Sequence, residues 1–113
     1  MNRGAAAEAL AARFLTGRGL HIVGRNYRCR GGEIDLIARD GPTLVFVEVR
    51  LRSSRAFGGA AESITATKRR RLRLAAGRYL AGLDREPPCR FDAILLDALA
   101  LERIEWLQGI DVD

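Results

Sequence analysis

Residues 31–50 read GGEIDLIARDGPTLVFVEVR. Two runs with a period of two flank DGPT at 40–43, a turn signal. In residues 33–39, Ile34, Leu36 and Ala38 point one way and Glu33, Asp35 and Ile37 the other. In residues 44–52, Val45, Val47, Val49 and Leu51 form one face, and Leu44, Phe46, Glu48, Arg50 and Arg52 the other. The pattern predicts a hairpin with DGPT as its four-residue connection. Residue 39 then faces 44, 37 faces 46, 35 faces 48 and 33 faces 50.

Glu48 lies inside LVFVEV, one of the most apolar runs of the chain. A charge there is costly unless something neutralises it. The predicted register sets Asp35 opposite Glu48, and Glu33 opposite Arg50. Like charges directly opposed across two strands destabilise a sheet, so a cation between Asp35 and Glu48 resolves the conflict. Two carboxylates and a few waters suit a Mg²⁺-type ion at ~2.0–2.1 Å. Asp35 and Glu48 are therefore candidate ligands for Mg²⁺ or Mn²⁺. The competing reading gives each acid its own arginine. The apolar flank of Glu48, Arg50 on the same face and the third acid Glu33 favour a site.

The rest of the chain completes an α/β pattern. Residues 5–18 are rich in Ala and Leu and stop at Gly17 and Gly19, with Ala7, Leu10, Ala11 and Phe14 at helical spacing. Residues 20–27 have extended character, interrupted by Gly24, and Gly31 and Gly32 turn the chain. Residues 53–64 form a loop, in which Phe57 and Gly58 are placed to act either as a flap or as an anchor. A second helix starts near Thr65 or Thr67, either of which can cap it. Its apolar stripe is Leu72, Ala75, Ala76, Tyr79, Leu80 and Leu83, and Pro87 and Pro88 end that unit. Residues 91–96 form a fourth strand. Residues 101–107 read as strand or helix; the alternation of Ile104 and Trp106 about Glu105 favours strand. Tyr79 and Trp106 fit the core, and Arg90 and Asp92 fit a structural ion pair.

Composition narrows the function classes. The 113 residues suit one domain, and 48% hydrophobic content suits a buried core. The net charge is +5, and eighteen of the nineteen basic residues are arginine; the one lysine is Lys68. That balance favours anionic partners, nucleic acid ahead of membrane. His21 is the single histidine, and Cys29 and Cys89 fit no CxxC pattern. Catalytic sets built on histidine are thereby excluded. The N-terminal MNRGAAAEALAARFL lacks a continuous apolar core, so a cytoplasmic protein without a membrane span is expected. KRRRLR at 68–73 opens the second helix. Cations there oppose the helix macrodipole, so a bound polyanion is a natural counterpart. Lys68, Arg69, Arg70 and Arg73 are the candidate phosphate contacts.

GEIDLIA followed by FVEVR resembles the D…(D/E)xK constellation of the PD-(D/E)XK nucleases. The ordered set is more specific: Glu8 in GAAAEALAARFL, GRNYRCRGGEIDLIA, LVFVEVRLRSS, FGGAAESITATKRRRL, and RFD at 90–92 resemble the bacterial UPF0102 (YraN-like) family along nearly the whole chain. The resemblance implies a restriction-endonuclease-like core, a mixed four- to five-stranded sheet flanked by helices in the order α-β-β-β-α-β-β, as in Holliday-junction resolvases. It implies a metal-dependent endonuclease acting on DNA, with homodimers as in related resolvases. Asp35 and Glu48 match the metal ligands, Glu8 matches an acid that reaches the same site from the first helix, and Glu33 is a supporting partner. Arg50 stands where the superfamily usually has lysine. An arginine stays protonated and cannot serve as a base, but it can hold or offset phosphate charge. Water activation then falls to the metal, or the site binds nucleic acid without cutting. A third reading makes the basic helix a dock for an acidic protein.

Overall fold

The computed structural model describes residues 2–52 and 64–112. Phe57 and Gly58 therefore lie outside the described residues. The element order is α1 (Arg3–Gly17), β1 (His21–Cys29), β2 (Gly32–Asp40), β3 (Thr43–Leu51), α2 (Ala66–Ala81), β4 (Cys89–Leu96), a 3₁₀ turn (Leu101–Arg103) and β5 (Ile104–Leu107). The strands form one sheet in the order β1-β2-β3-β4-β5. β3 and β4 are parallel; every other neighbouring pair is antiparallel. A parallel pair needs a long crossover, and α2 lies within it. The fold is the α/β arrangement with a mixed sheet that the sequence predicts.

α1 and α2 cover opposite faces. Under α1 the core contains Ala7, Ala11, Ala12, Leu15, Leu36, Ala38, Val45, Val47, Ile94 and Leu96. The buried stripe of α1 is thus mostly alanine, with Leu10 and Phe14 at its margin rather than at its centre. Small side chains let the helix lie close to the sheet. Phe14 meets Trp106 edge-on at 5.9 Å. Under α2 the core contains Ile34, Ile37, Leu44, Phe46, Leu72, Ala75 and Ala76. Tyr79 packs edge-on against Tyr27 and Phe46. Leu83 lies past the end of α2 and is 39% exposed, so the apolar stripe ends at Leu80.

The paired glycines have different tasks. Gly31 has φ +82° and makes the turn. Gly32 belongs to β2, and a Cβ there would sit 2.5 Å from the Arg71 carbonyl oxygen and 2.9 Å from the Ala75 nitrogen. Only glycine allows α2 to lie this close to β2. Thr65 caps α2 by accepting from the Lys68 amide at 3.2 Å. The helix start is fixed as expected, and with it the position of Lys68.

The β2–β3 ladder keeps the predicted register, from Asp40↔Thr43 through Arg39↔Leu44 and Ile37↔Phe46 to Leu36↔Val47. The strands run further toward the turn than DGPT suggests, which leaves Gly41 and Pro42 as the two-residue connection, with Gly41 at φ +58°. The predicted alternation along β2 fails at one point. Ile34 packs with Ile37 under α2, while Leu36 and Ala38 pack under α1. The reversal falls at Asp35. Across from it in β1, between Arg25↔Leu36 and Tyr27↔Ile34, lies Asn26 with φ +51°. A left-handed residue in one strand turns the local pleat over.

At the other end of the sheet, Asp92 is 0% exposed. Arg90 Nε donates to its carboxylate at 3.1 Å, Trp106 Nε1 at 3.0 Å and the Gly109 amide at 3.0 Å. Arg90 also reaches Asp40 at 2.9 Å. The expected ion pair is therefore the hub that ties β4 to β5 and to the β2–β3 turn. Asp92→Ala removes the buried acceptor that Arg90, Trp106 and Gly109 share. Urea denaturation of that variant should show a loss of about 3–5 kcal/mol, without a change in the oligomeric state.

Candidate active site

The recorded β2–β3 ladder ends at Leu36↔Val47. Beyond it, β2 stays with β1 as far as Cys29↔Gly32, while β3 stays with β4 as far as Leu51↔Leu96. Asp35 and Glu48 are the first residues past the end of the shared ladder. The Asp35 carboxylate accepts the Val49 amide at 2.7 Å, which satisfies a β3 donor that no strand neighbour takes. It also hydrogen-bonds the Glu48 carboxyl. The two acids converge as the register predicts.

Glu48 is 8% exposed. Burial raises its pKa, and the Asp35 charge and their shared hydrogen bond add to the rise, taking it to about 8; Lys68 acts in the opposite direction. Burial also raises Asp35, against the Val49 and Glu48 hydrogen bonds that lower it. Two carboxyls in hydrogen-bond contact titrate as a unit. Burial and the neighbouring charge therefore favour one proton held by the pair through neutral pH, with a second added in acid.

α1 and α2 bring in the remaining groups. Glu8 is raised by burial and by the Asp35 charge, while hydrogen bonding to Asn26 and the Arg28 charge lower it. Glu8, on α1, thus feels the Asp35 charge. Lys68 Nζ lies 3.8 Å from Glu48 Oε2. Glu33 does not face Arg50. It pairs with Arg28 on β1 and forms ion pairs at 3.8 Å with Arg28 and Arg71. The strands have parted by that point, so the expected Glu33–Arg50 pairing is replaced by a bridge between β1 and α2. Its charge still reaches the site, because it disfavours ionisation of Glu8, Asp35 and Glu48.

Arg50 lies two residues beyond Glu48 in β3, beside Leu95 of β4, and its Nε is buried without a hydrogen-bond partner among the described residues. The cation in contact with Glu48 is Lys68, from α2. Arg69 is committed to structure: its Nε donates to the Ile64 carbonyl at 2.9 Å and its Nη1 to the Asp111 carbonyl at 3.1 Å. Arg69, Arg70 and Arg73 line a cavity of about 230 Å³ with Ile64, Ala66 and Val112. None of the four acids lines it, so the predicted basic strip runs beside the carboxylate pair. Periodicity alone does not reveal Asn26; its signal is the left-handed preference of asparagine.

The model of the uncharacterised protein family UPF0102 matches residues 7–96. The chain belongs to the UPF0102 family. It is 61% identical to a UPF0102 protein of Cupriavidus taiwanensis, covering 98% of this chain and 84% of the relative. A relative from Nitrosomonas europaea is 54% identical over 96% of this chain and 92% of its own. One from Nitrosospira multiformis is 56% identical over 95% and 90%. In this UPF0102 chain the matched span carries Glu8, Asn26, Asp35, Glu48 and Lys68, and no helix of the described residues is long and apolar enough to cross a membrane.

The donor set fits a hard divalent cation. A buried and a half-buried carboxyl side by side present the oxygens such an ion would take in place of a proton. Among the described residues no three acidic, histidine or cysteine side chains stand close enough to form a complete cage. Mg²⁺ does not require one, because it keeps waters and takes substrate phosphate oxygens alongside one or two carboxylates.

The raised pKa of Glu48 has a sign that can be measured. From about pH 4.5, the ordinary glutamate value, to about pH 8 the folded state holds a proton that the unfolded chain releases. Stability of the metal-free protein therefore falls as pH rises through that window. Glu48→Gln removes this slope. At pH 9 the variant should be more stable than the wild type by roughly 5 kcal/mol at most, and at pH 5 nearly equal to it. Urea titrations at the two pH values check this.

Proposed function

We propose that this protein is a metal-dependent phosphodiesterase acting on DNA, selecting its substrate by shape rather than by sequence. The observation that carries the proposal is the meeting of Asp35 and Glu48 at the end of the β2–β3 ladder, with Lys68 3.8 Å from Glu48. Like charges this close, with water largely excluded, destabilise the metal-free protein, and a divalent cation would relieve them. The likeness to resolvases and restriction endonucleases favours DNA. Selection by shape follows because neither helix belongs to a groove-reading motif such as helix-turn-helix.

Each residue then has a task. Asp35 and Glu48 bind Mg²⁺ or Mn²⁺. When bound, the ion polarises the scissile phosphate and acidifies water. Lys68 holds a phosphate oxygen and offsets the charge that grows on it. Arg70 and Arg73 extend that contact along α2 to neighbouring phosphates, which position the strand without reading it. Arg69 holds Ile64 and Asp111 against α2 and adds its charge to the strip. Glu8 orients water on the α1 side of the pair. Glu33 holds Arg28 and Arg71 at the rim. Arg50 contributes fixed positive charge and no proton transfer.

Branched and linear DNA incubated with the protein and Mn²⁺ tests the proposal. Nicking is expected with Mn²⁺ or Mg²⁺ and not with chelator, and Glu48→Ala should lower it at least 100-fold. Nicking that survives Glu48→Ala unchanged contradicts the proposal. Salt-sensitive DNA binding without cleavage at any metal concentration also contradicts it, and makes the chain a binding module on a nuclease fold.

A further inference from the structure

Two arginines follow Glu48 on the same side of β3. Phe46 packs under α2, whereas Val45, Val47, Val49 and Leu51 pack under α1. Alternation therefore sets Glu48, Arg50 and Arg52 in one row on the α2 side. Arg52 lies just past β3, but its amide donates to the Leu96 carbonyl at 2.7 Å, so pairing with β4 keeps it in line. On the β4 side the row is flanked by Ala93 and Leu95, which pack with Ile64. On the other side β2 has already parted from β3. The Nε atoms of Arg50 and Arg52 are both buried and have no hydrogen-bond partner among the described residues.

An arginine that only spreads its stem over apolar surface keeps its guanidinium in water. Here the inner nitrogen of each guanidinium is shut off from water, at two alternate positions of one strand. A buried charged donor left unpaired costs its full desolvation, and folded proteins pair nearly all such groups. We infer that Arg50 and Arg52 form a phosphate-binding row that carries the DNA strand along β3, away from the acid pair. The inference rests on the proposed function and adds to it the path of the substrate. The guanidinium fork takes phosphate oxygens two at a time. Side chains in the row follow each other at about 6.6 Å, which puts Arg52 about 13 Å from Glu48 along the strand. Arg50 and Arg52 thus hold phosphates on one side of the scissile bond, while Lys68 serves the phosphate at the ion. Contacts of this kind position a strand without reading its sequence.

Fluorescence anisotropy with labelled DNA in chelator separates the row from the metal chemistry. Arg52→Met should weaken binding about tenfold and flatten the slope of log affinity against log salt by about 0.9. Adding Arg50→Met should flatten it by about 1.8 in total. Arg13→Met, on the exposed side of α1, should change neither. Wild-type affinity and slope in Arg52→Met, or an equal loss in Arg13→Met, overturns the inference. Urea stability without DNA gives a second reading. Arg52→Met should be at least as stable as the wild type, because the substitution removes an unpaired donor and keeps the apolar stem. A clear loss of stability overturns the inference, since the Nε then has its partner within the chain. The nicking assay decides the proposed function separately. Nicking with no effect of Arg52→Met on binding overturns the row alone, and weakened binding in Arg52→Met without any nicking by the wild type overturns the activity alone.

Discussion

Asp35 and Glu48 meet where two strands cease to pair, and each would be a poor choice at its position without the other. Glu48 is buried in an apolar strand; Asp35 is half-buried in the strand beside it. Both pKa values rise because water is excluded, and the Asp35 charge raises Glu48 further. The metal-free protein answers with a shared proton and with the Val49 amide. Strain of this electrostatic kind persists only where the surrounding structure holds it in place, and it accumulates at functional sites.

Three features of the fold hold it. The β2–β3 turn sets a register that brings residue 35 to residue 48, and Arg90 secures that turn through Asp40 while gripping Asp92. Gly32 lets α2 lie directly on β2, which brings Lys68 to Glu48 and Arg71 to Glu33. Asn26, with its left-handed backbone, stands in β1 opposite Asp35, where β2 reverses its faces and parts from β3. The alanine face of α1 then allows Glu8 to approach from the other side of the sheet. Sheet, crossover helix and first helix each deliver charged groups to one end of the β2–β3 ladder.

Much of this is readable in the sequence, because period-two patterning and a short turn determine strand register. The parity of the β2–β3 hairpin predicts the meeting of Asp35 and Glu48, and Thr65 marks the start of α2. Parity fails past residue 35, since simple alternation carries no sign that a left-handed residue in the neighbouring strand will turn the pleat. Ile34 is for that reason on the other face, and Glu33 finds Arg28 and Arg71 instead of Arg50. Gly31 and Gly32 look alike as letters; only the close approach of a helix distinguishes them. The contact between Lys68 and Glu48 spans twenty positions and depends on how α2 crosses the sheet, which local patterning does not encode.

The central claim is that one divalent ion displaces the proton shared by Asp35 and Glu48. Crystals of the protein soaked in Mn²⁺ above pH 8 test it most directly through the anomalous signal of the metal. The account predicts a single strong peak on the order of 2 Å from oxygens of both carboxylates, with Lys68 beside it. A map with no peak there and the two carboxyls still bonded to each other would contradict it, as would a metal held elsewhere on the chain.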